Sequence, residues 1–334
     1  MLDEFTDERE LEPRRRSRAG RNILIGFLVL LLAGVGVIAG FVIYLGALVS
    51  SNVTKEENAL PDIGPVQADG SPVELPENSG MNILFVGSDA RPGEAGRSDV
   101  MVLAHITEDR DTVYLTHFPR DLYVELPGRG KDKINAAYAY GGTPLLVETM
   151  QNLLGIKIDH VARTDFEGFK SMTDAVGGVR VYAEESSSRG NIVEGWNDLD
   201  GERALEFVRE RYQLSEGDIS RGHRQQAFIK ALMLKALSRD TLTNPLALAR
   251  FVDAATENLT VDAALDLNEM RKLAFSMSGI RGDDVIFVTA PFSGFGTAPD
   301  GGWIEIVDEA RMAQLGEAMR TDTMETYDDS RVTP

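Results

Sequence analysis

The chain contains no cysteine. That excludes disulfides, thiolate metal sites and a cysteine nucleophile, and it is in keeping with export from the cytoplasm. Histidine is scarce too: the four present, His105, His117, His160 and His223, show no metal-ligand spacing. Positive charge is short, with 34 Lys+Arg against 53 Asp+Glu and a net charge of −19 over 334 residues. So acidic a chain lacks the broad basic face that nucleic-acid binding needs. The motifs G-x-x-x-x-G-K-[ST], G-x-S-x-G and H-E-x-x-H are all missing, which removes the P-loop, nucleophile-elbow and zincin readings.

What is present begins with a polar, acidic tail followed by RRRSRAGR, holding Arg14, Arg15, Arg16, Arg18 and Arg21. Asn22 to Ser50 then carries no charge, and its core, Ile23 to Val49, is apolar over 27 residues. About 20 apolar residues cross a bilayer core, whereas the apolar region of a cleaved signal peptide is about 7–15. The expectation is an uncleaved, single-pass anchor in the cell membrane. The preceding arginines put the N-terminus in the cytoplasm and the remainder outside. The Gly36–Gly40 spacing is too short a pattern to fix an oligomeric state. Residues 1–21 are thus a cytoplasmic tail, 22–50 a transmembrane helix and 51–80 a Pro-rich extracytoplasmic stalk, with Pro61, Pro65, Pro72 and Pro76. Residues 81–320 form the outer domain and 321–334 a C-terminal tail.

The outer domain opens with three β-rich runs, Asn82–Gly87, Val100–Ile106 and Thr112–Phe118, close enough in sequence to be antiparallel neighbours. A helix is predicted from Ile134, with apolar residues at three and four spacing up to Leu154 and Gly155 as its stop. A strand over 159–164, a helix over 166–175 and a strand over 179–183 follow, giving an α/β domain with helices on both faces of a mixed sheet. Further helices are expected at 219–239, 245–257, 266–278 and from Trp303 to about Met319, with a strand at 284–290. Phe207, Arg209 and Arg211 show period two, so an extended segment would send both arginines to one face.

Three groups of residues carry chemistry. Asp89, Arg97 and Asp99 sit at the ends of neighbouring strands. Paired carboxylates beside phosphate oxygens suit Mg²⁺, while Asp beside Gly and Arg also reads as an ordinary turn. Arg120-Asp121 follows Pro119 at another strand end, either as part of a site or as a surface ion pair. Arg209, Arg211, Arg221 and Arg224, with His223 among them, fall within sixteen residues. Arginine is shaped for bidentate phosphate recognition, and Arg221, Arg224 and Gln225 share a helix face near a helix N-terminus, which favours an anion. The competing reading is a solvated charged helix face. Ligands commonly sit at strand ends in α/β sheets.

Read together, NILFVGSDAR, RSDVMVL, FPRDLYVELPGRGKDKINAAYAYGG, IDHVARTDFEGFKSMTDAVGGVRV, LDGERALEFVRERY and DISRGHRQQ, in this order over about 82–237, resemble the LytR–CpsA–Psr family. The resemblance implies an α/β/α sandwich with a mixed central sheet. It also implies a cell-wall phosphotransferase that moves a glycopolymer from a polyprenyl-pyrophosphate carrier to peptidoglycan through a phosphodiester bond. Under it, Arg120, Asp121 and Asp89 are the catalytic residues. Arg97, Arg120, Arg209, Arg211, Arg221, Arg224 and Gln225 hold the pyrophosphate. Asp89 and Asp99 hold Mg²⁺, with Mn²⁺ as the alternative ion, and Asn135 and Asp218 support the site. The partners implied are the lipid-linked glycopolymer, the peptidoglycan acceptor and the membrane. Two other readings use the same charges: a polyprenyl-diphosphate pyrophosphatase, and a non-catalytic polyprenyl-phosphate-binding envelope regulator.

Overall fold

The computed structural model describes residues 37, 39–61, 75–88, 96, 98–215 and 217–327, and at Asp99 and Asp218 the backbone only. The tail at 1–21, most of the expected span at 22–50, Asp89, Arg97 and the end of the C-terminal tail lie outside the described residues. Among the described residues no helix is long and apolar enough to cross a membrane. The chain divides into Met1–Ala47 and Leu48–Pro334. Residues 39–52 form helix α1.

A seven-stranded mixed sheet organises the second unit. It comprises β1 (Thr54–Glu56), β2 (Met81–Ser88), β3 (Ser98–Ile106), β4 (Val113–His117), β7 (His160–Thr164), β10 (Thr260–Asp262) and β11 (Val285–Thr289), in the order β1-β10-β7-β2-β3-β4-β11. The antiparallel β2–β3–β4 meander expected from the three apolar runs is present, with Leu84 opposite Leu103 and Ala104 opposite Leu115. β7 runs parallel to β2, and β11 parallel to β4. Thr54–Glu56, inside the segment read as a stalk, pair with β10.

Alternation along the strands sends side chains to two different cores. Leu84, Val86, Met101 and Leu103 are buried with Leu146, Val147 and Met150 of α2 (Ile134–Leu154) and Met312 and Leu315 of α9 (Glu309–Arg320). Ile83, Val102, Ala104 and Leu115 lie on the other face, packed with Ile229 and Met233 of α5 (Asp218–Ala236) and Leu273 of α8 (Leu267–Ser276). Helices therefore cover both faces of the sheet. α2 ends where expected: Gly155 adopts φ 67° and its N–H bonds the Gln151 carbonyl, a conformation that costs a residue with a Cβ about 1–2 kcal/mol.

A third core lies beneath a separate two-stranded ribbon, β8 (Val179–Ala183) with β9 (Gly195–Leu199). It joins Val179, Val181 and Leu199 to Leu205, Phe207 and Val208 of α4 (Gly201–Arg209), Phe228 of α5, and Phe166 and Phe169 of α3 (Phe166–Ala175). A second sheet has the order β12-β13-β5-β6, from β12 (Phe292–Thr297), β13 (Trp303–Val307), β5 (Leu122–Leu126) and β6 (Gly130–Lys133). Two short helices complete the chain, α6 (Arg239–Leu242) and α7 (Pro245–Glu257).

Two expectations are corrected. Phe207 and Arg209 are not extended: they end α4, which starts behind Asp200, whose side chain accepts the Arg203 N–H. The helix wins because Ala204, Leu205, Phe207 and Val208 then bury one stripe in the third core. Trp303 does not start a helix either. Residues 303–307 form β13, parallel to β5 and antiparallel to β12, and α9 starts behind Asp308, which caps the Arg311 N–H.

Candidate functional site at the carboxyl edge of the sheet

Strand direction decides what meets here. β2, β4, β7 and β11 point the same way and β3 the opposite way. One edge of the sheet therefore gathers four carboxyl ends and the start of β3. Residues 88 and 98 are ladder partners beside a register shift, so the Asp99 backbone lies at this edge, and Asp89 is the next residue in sequence after β2. The side chain of Asp99 and all of Asp89 and Arg97 lie outside the described residues. No group of three or more His, Asp or Glu among the described residues is placed to hold a metal ion.

The chain leaving β4 is held tightly. Phe118 is fully buried and its N–H bonds the Met101 carbonyl at 2.9 Å. Asp121 is buried, with Lys133 Nζ at 2.7 Å and Arg120 Nε at 3.5 Å from its two carboxylate oxygens. This is a half-desolvated cluster of two cations about one carboxylate, more constrained than a surface ion pair. Asn135, at the start of α2 and also buried, donates its backbone N–H to the Arg120 carbonyl at 3.3 Å. Lys133 is a participant that the sequence reading missed. Its signal was the Gly-rich turn at 128–130, which folds β6 back so that Lys133 faces Tyr123.

The N-terminal part of α5 reaches the same edge. Gln226 Nε2 donates to Thr289 Oγ1 at 3.1 Å, and Thr289 is the ladder partner of His117. Gly222 lies directly on the His117 ring: a Cβ there would stand 3.3 Å from Nε2, so glycine allows the helix to come this close. Burial first, then the charges of Arg221 and His223, pushes His117 down to about 4, so the ring is neutral near pH 7. Its Nδ1 is buried without a hydrogen-bond partner.

The arginines sort into two kinds. Arg209, exposed at the end of α4, lies over the Phe166 ring at 4.7 Å, just past the carboxyl end of β7. Arg211 lies over the Tyr212 ring at 4.6 Å and donates to its hydroxyl at 2.6 Å. Between them Glu210 is buried, and its Oε1 accepts the backbone N–H groups of Arg211, Tyr212 and Gln213 at 2.9, 2.8 and 3.2 Å. That carboxylate fixes the turn presenting Arg211, and the sequence reading missed it because Glu between two arginines looks like an exposed ion pair. Arg221 is buried beside His117.

Arg224 and Gln225 are buried and used structurally. Arg224 donates to Ser187 Oγ at 3.1 Å and to the Glu185 carbonyl at 2.6 Å, and lies over Phe207 at 4.8 Å. Gln225 Nε2 donates to the Val208 carbonyl at 3.3 Å. Arg224 nevertheless borders a cleft of about 240 Å³ lined also by Tyr182, Glu184, Glu185, Ser220 and His223. His223 Nδ1 stands 3.5 Å from Glu184. Asp218 begins α5, with its side chain outside the described set. The two remaining histidines are built into the fold: His105 bonds Asn82 and Asp322, and His160 faces Asp262.

The second unit is thus a mixed α/β sheet with cationic side chains gathered at its carboxyl edge. The LytR_cpsA_psr family model matches residues 43–321, and the chain belongs to the LytR–CpsA–Psr family. It is 36% identical, over 72% of its length and 75% of the relative's, to a polyisoprenyl-teichoic acid–peptidoglycan teichoic acid transferase TagU of Oceanobacillus iheyensis. It is 33% identical to the probable cell wall biosynthesis protein LcpB of Corynebacterium glutamicum, of which it spans 64%. Among solved structures, Bacillus subtilis TagV aligns with a TM-score of 0.62 at 26% identity, over 76% of this chain and 99% of that one. TagT bound to LI-WTA aligns at 0.60 and 25%, over 79% and 98%.

Proposed function

We propose that the protein is a membrane-anchored phosphotransferase that moves a glycopolymer from a polyprenyl-pyrophosphate carrier onto peptidoglycan, leaving a phosphodiester bond. The observation that carries the reading is that one sheet edge holds the Arg120–Asp121–Lys133 cluster past β4, Arg209 over Phe166 past β7 and Arg221 beside His117, with Arg211 on the turn directly after Arg209. A pyrophosphate presents concentrated negative charge and is the ligand such a set is suited to. The names of the relatives supply the substrate class.

In this reading an acceptor hydroxyl oxygen forms a bond to the phosphorus bearing the glycopolymer. The bond from that phosphorus to the bridging oxygen breaks, and polyprenyl phosphate leaves with the electron pair. Arg120 and Arg211 neutralise charge growing on the leaving phosphate, the differential stabilisation that lowers the barrier. Asp121, already engaged by Lys133 and Arg120, orients the Arg120 guanidinium, and Glu210 does the same for Arg211 through the backbone. The hydroxyl proton passes to Asp89, to Asp121 or directly to solvent. Bound Mg²⁺ at Asp89 and Asp99 would add charge neutralisation at the pyrophosphate oxygens. The apolar span at 22–50 keeps the site near its lipid-linked donor and raises the donor's effective concentration.

The reading is tested with purified protein, lipid-linked donor and peptidoglycan. Wall-linked phosphodiester product that depends on the acceptor supports it. Release of polyprenyl phosphate at an equal rate without acceptor would make the protein a pyrophosphatase, and tight donor binding without turnover would make it a receptor.

A further inference from the structure

The β8–β9 ribbon has two unlike faces. Val179, Val181, Ala183 and Leu199 are buried beneath it, while Arg180, Tyr182, Trp196 and Asp198 alternate with them and are exposed. Tyr182 and Trp196 are ladder partners, with their rings 5.5 Å apart and nearly perpendicular. The Arg180 guanidinium lies 5.5 Å from the centre of the Trp196 ring. Trp196 is 60% exposed and Tyr182 50%. Cross-strand aromatic pairing steadies a ribbon, but that gain does not require two large rings to face water on the side away from the core. Arg180, Asp198 and the two rings supply an apolar platform flanked by a cation and a carboxylate. A pyranose can lay its C–H face on such a platform while its hydroxyls bond the polar rim.

The ribbon also leads to the cleft bordered by Arg224. Tyr182 lines that cleft beside Arg224 and His223. The loop following β8 is the one that grips Arg224 through the Glu185 carbonyl and Ser187. We infer that the outer face of the β8–β9 ribbon, centred on Trp196 and Tyr182, is a subsite for the glycan strand of the peptidoglycan acceptor; this rests on the transferase reading above. A donor is held by its phosphates at the arginines. The acceptor strand offers a hexopyranose face at every sugar and carboxylates on its peptides, the first matching the rings and the second Arg180. Lying along the ribbon, it would bring a sugar hydroxyl to the cleft.

The chain has only two tryptophans, Trp196 and Trp303, so the full-length Trp303→Phe protein reports on Trp196 alone. Soluble glycan-strand fragments of peptidoglycan are titrated while its emission is read, and sedimentation with insoluble peptidoglycan measures binding. The expected result is a blue shift on adding fragments. Trp196→Ala should weaken sedimentation about tenfold, the scale of losing one aromatic anchor, and raise KM for the acceptor but not for the donor. Trp196→Phe should recover part of the loss, and unchanged unfolding midpoints show that both variants fold. Unaltered emission, equal sedimentation by Trp196→Ala, or a shift produced by the donor alone would overturn the subsite. Normal transfer by Trp196→Ala removes the subsite and leaves the transferase reading standing. Lost glycan binding by Trp196→Ala in a protein with no transfer activity keeps the glycan site and removes the transferase reading.

Discussion

His117 shows how one residue ties fold to site. It is buried between β4 and α5, with its ordinary value lowered to about 4 by burial and by Arg221 and His223. The unfolded chain binds a proton near pH 6.5, so the neutral ring contributes stability that is complete above that pH. This stability is lost as pH falls from about 6.5 toward 4, up to about 3 kcal/mol. Unfolding midpoints measured across this range should fall steeply for the wild type and less for His117→Asn. Asp121 gives a second prediction at this scale. Asp121→Asn keeps the shape but leaves Lys133 and Arg120 facing each other without their shared carboxylate. A loss of about 1–3 kcal/mol is expected, discounted for the partial exposure of Lys133, with transfer falling further than stability explains. Chemical denaturation and transfer assays on the same preparation separate the two effects. Arginine and carboxylate types could be read from the sequence; which of them are consumed by the fold could not. Arg224 looked like its neighbour Arg221, yet the loop at 185–187, nearly forty residues earlier, and the Phe207 ring engage it as a structural group.

At the scale of elements, β2, β3 and β4 were legible because each is a short β-branched or apolar run bounded by turn residues. The end of α2 was legible because Gly155 terminates it. The two misread segments share a cause. FVRER fits both a period of two and a helical stripe, and burial against Phe228 of α5 decides between them. WIEIV becomes a strand because β5 and β12 flank it, and β5 lies far away in sequence. The turn at 210–213 is the element on which Arg211 depends. Glu210→Ala leaves three backbone N–H groups without their carboxylate acceptor, a cost of about 1–3 kcal/mol, and should abolish transfer. Glu210→Gln keeps a carbonyl acceptor and should retain most stability, as thermal unfolding of the pair will show.

At the scale of the whole molecule, the site belongs to no single segment. The parallel run of β2, β4, β7 and β11 brings Arg120 to the edge where α4 and α5 deliver Arg209 and Arg221, with Arg211 on the turn after α4, and a local reading of sequence cannot see that convergence without the strand order. The net charge of −19 makes this local excess of cations the more specific. The proposed anchor predicts that deleting residues 1–47 moves the protein from the membrane to the soluble fraction. Transfer from detergent-dispersed donor should then persist, while transfer from donor embedded in vesicles drops; fractionation with paired assays checks both. The central claim is tested most directly by single-turnover transfer of lipid-linked glycopolymer to peptidoglycan by the wild type, Arg120→Ala and Arg211→Ala, each shown to be folded. The account predicts phosphodiester-linked product from the wild type and a loss of at least about a hundredfold in each variant, the scale of removing one charge-stabilising donor. Near-wild-type transfer by both variants would contradict it.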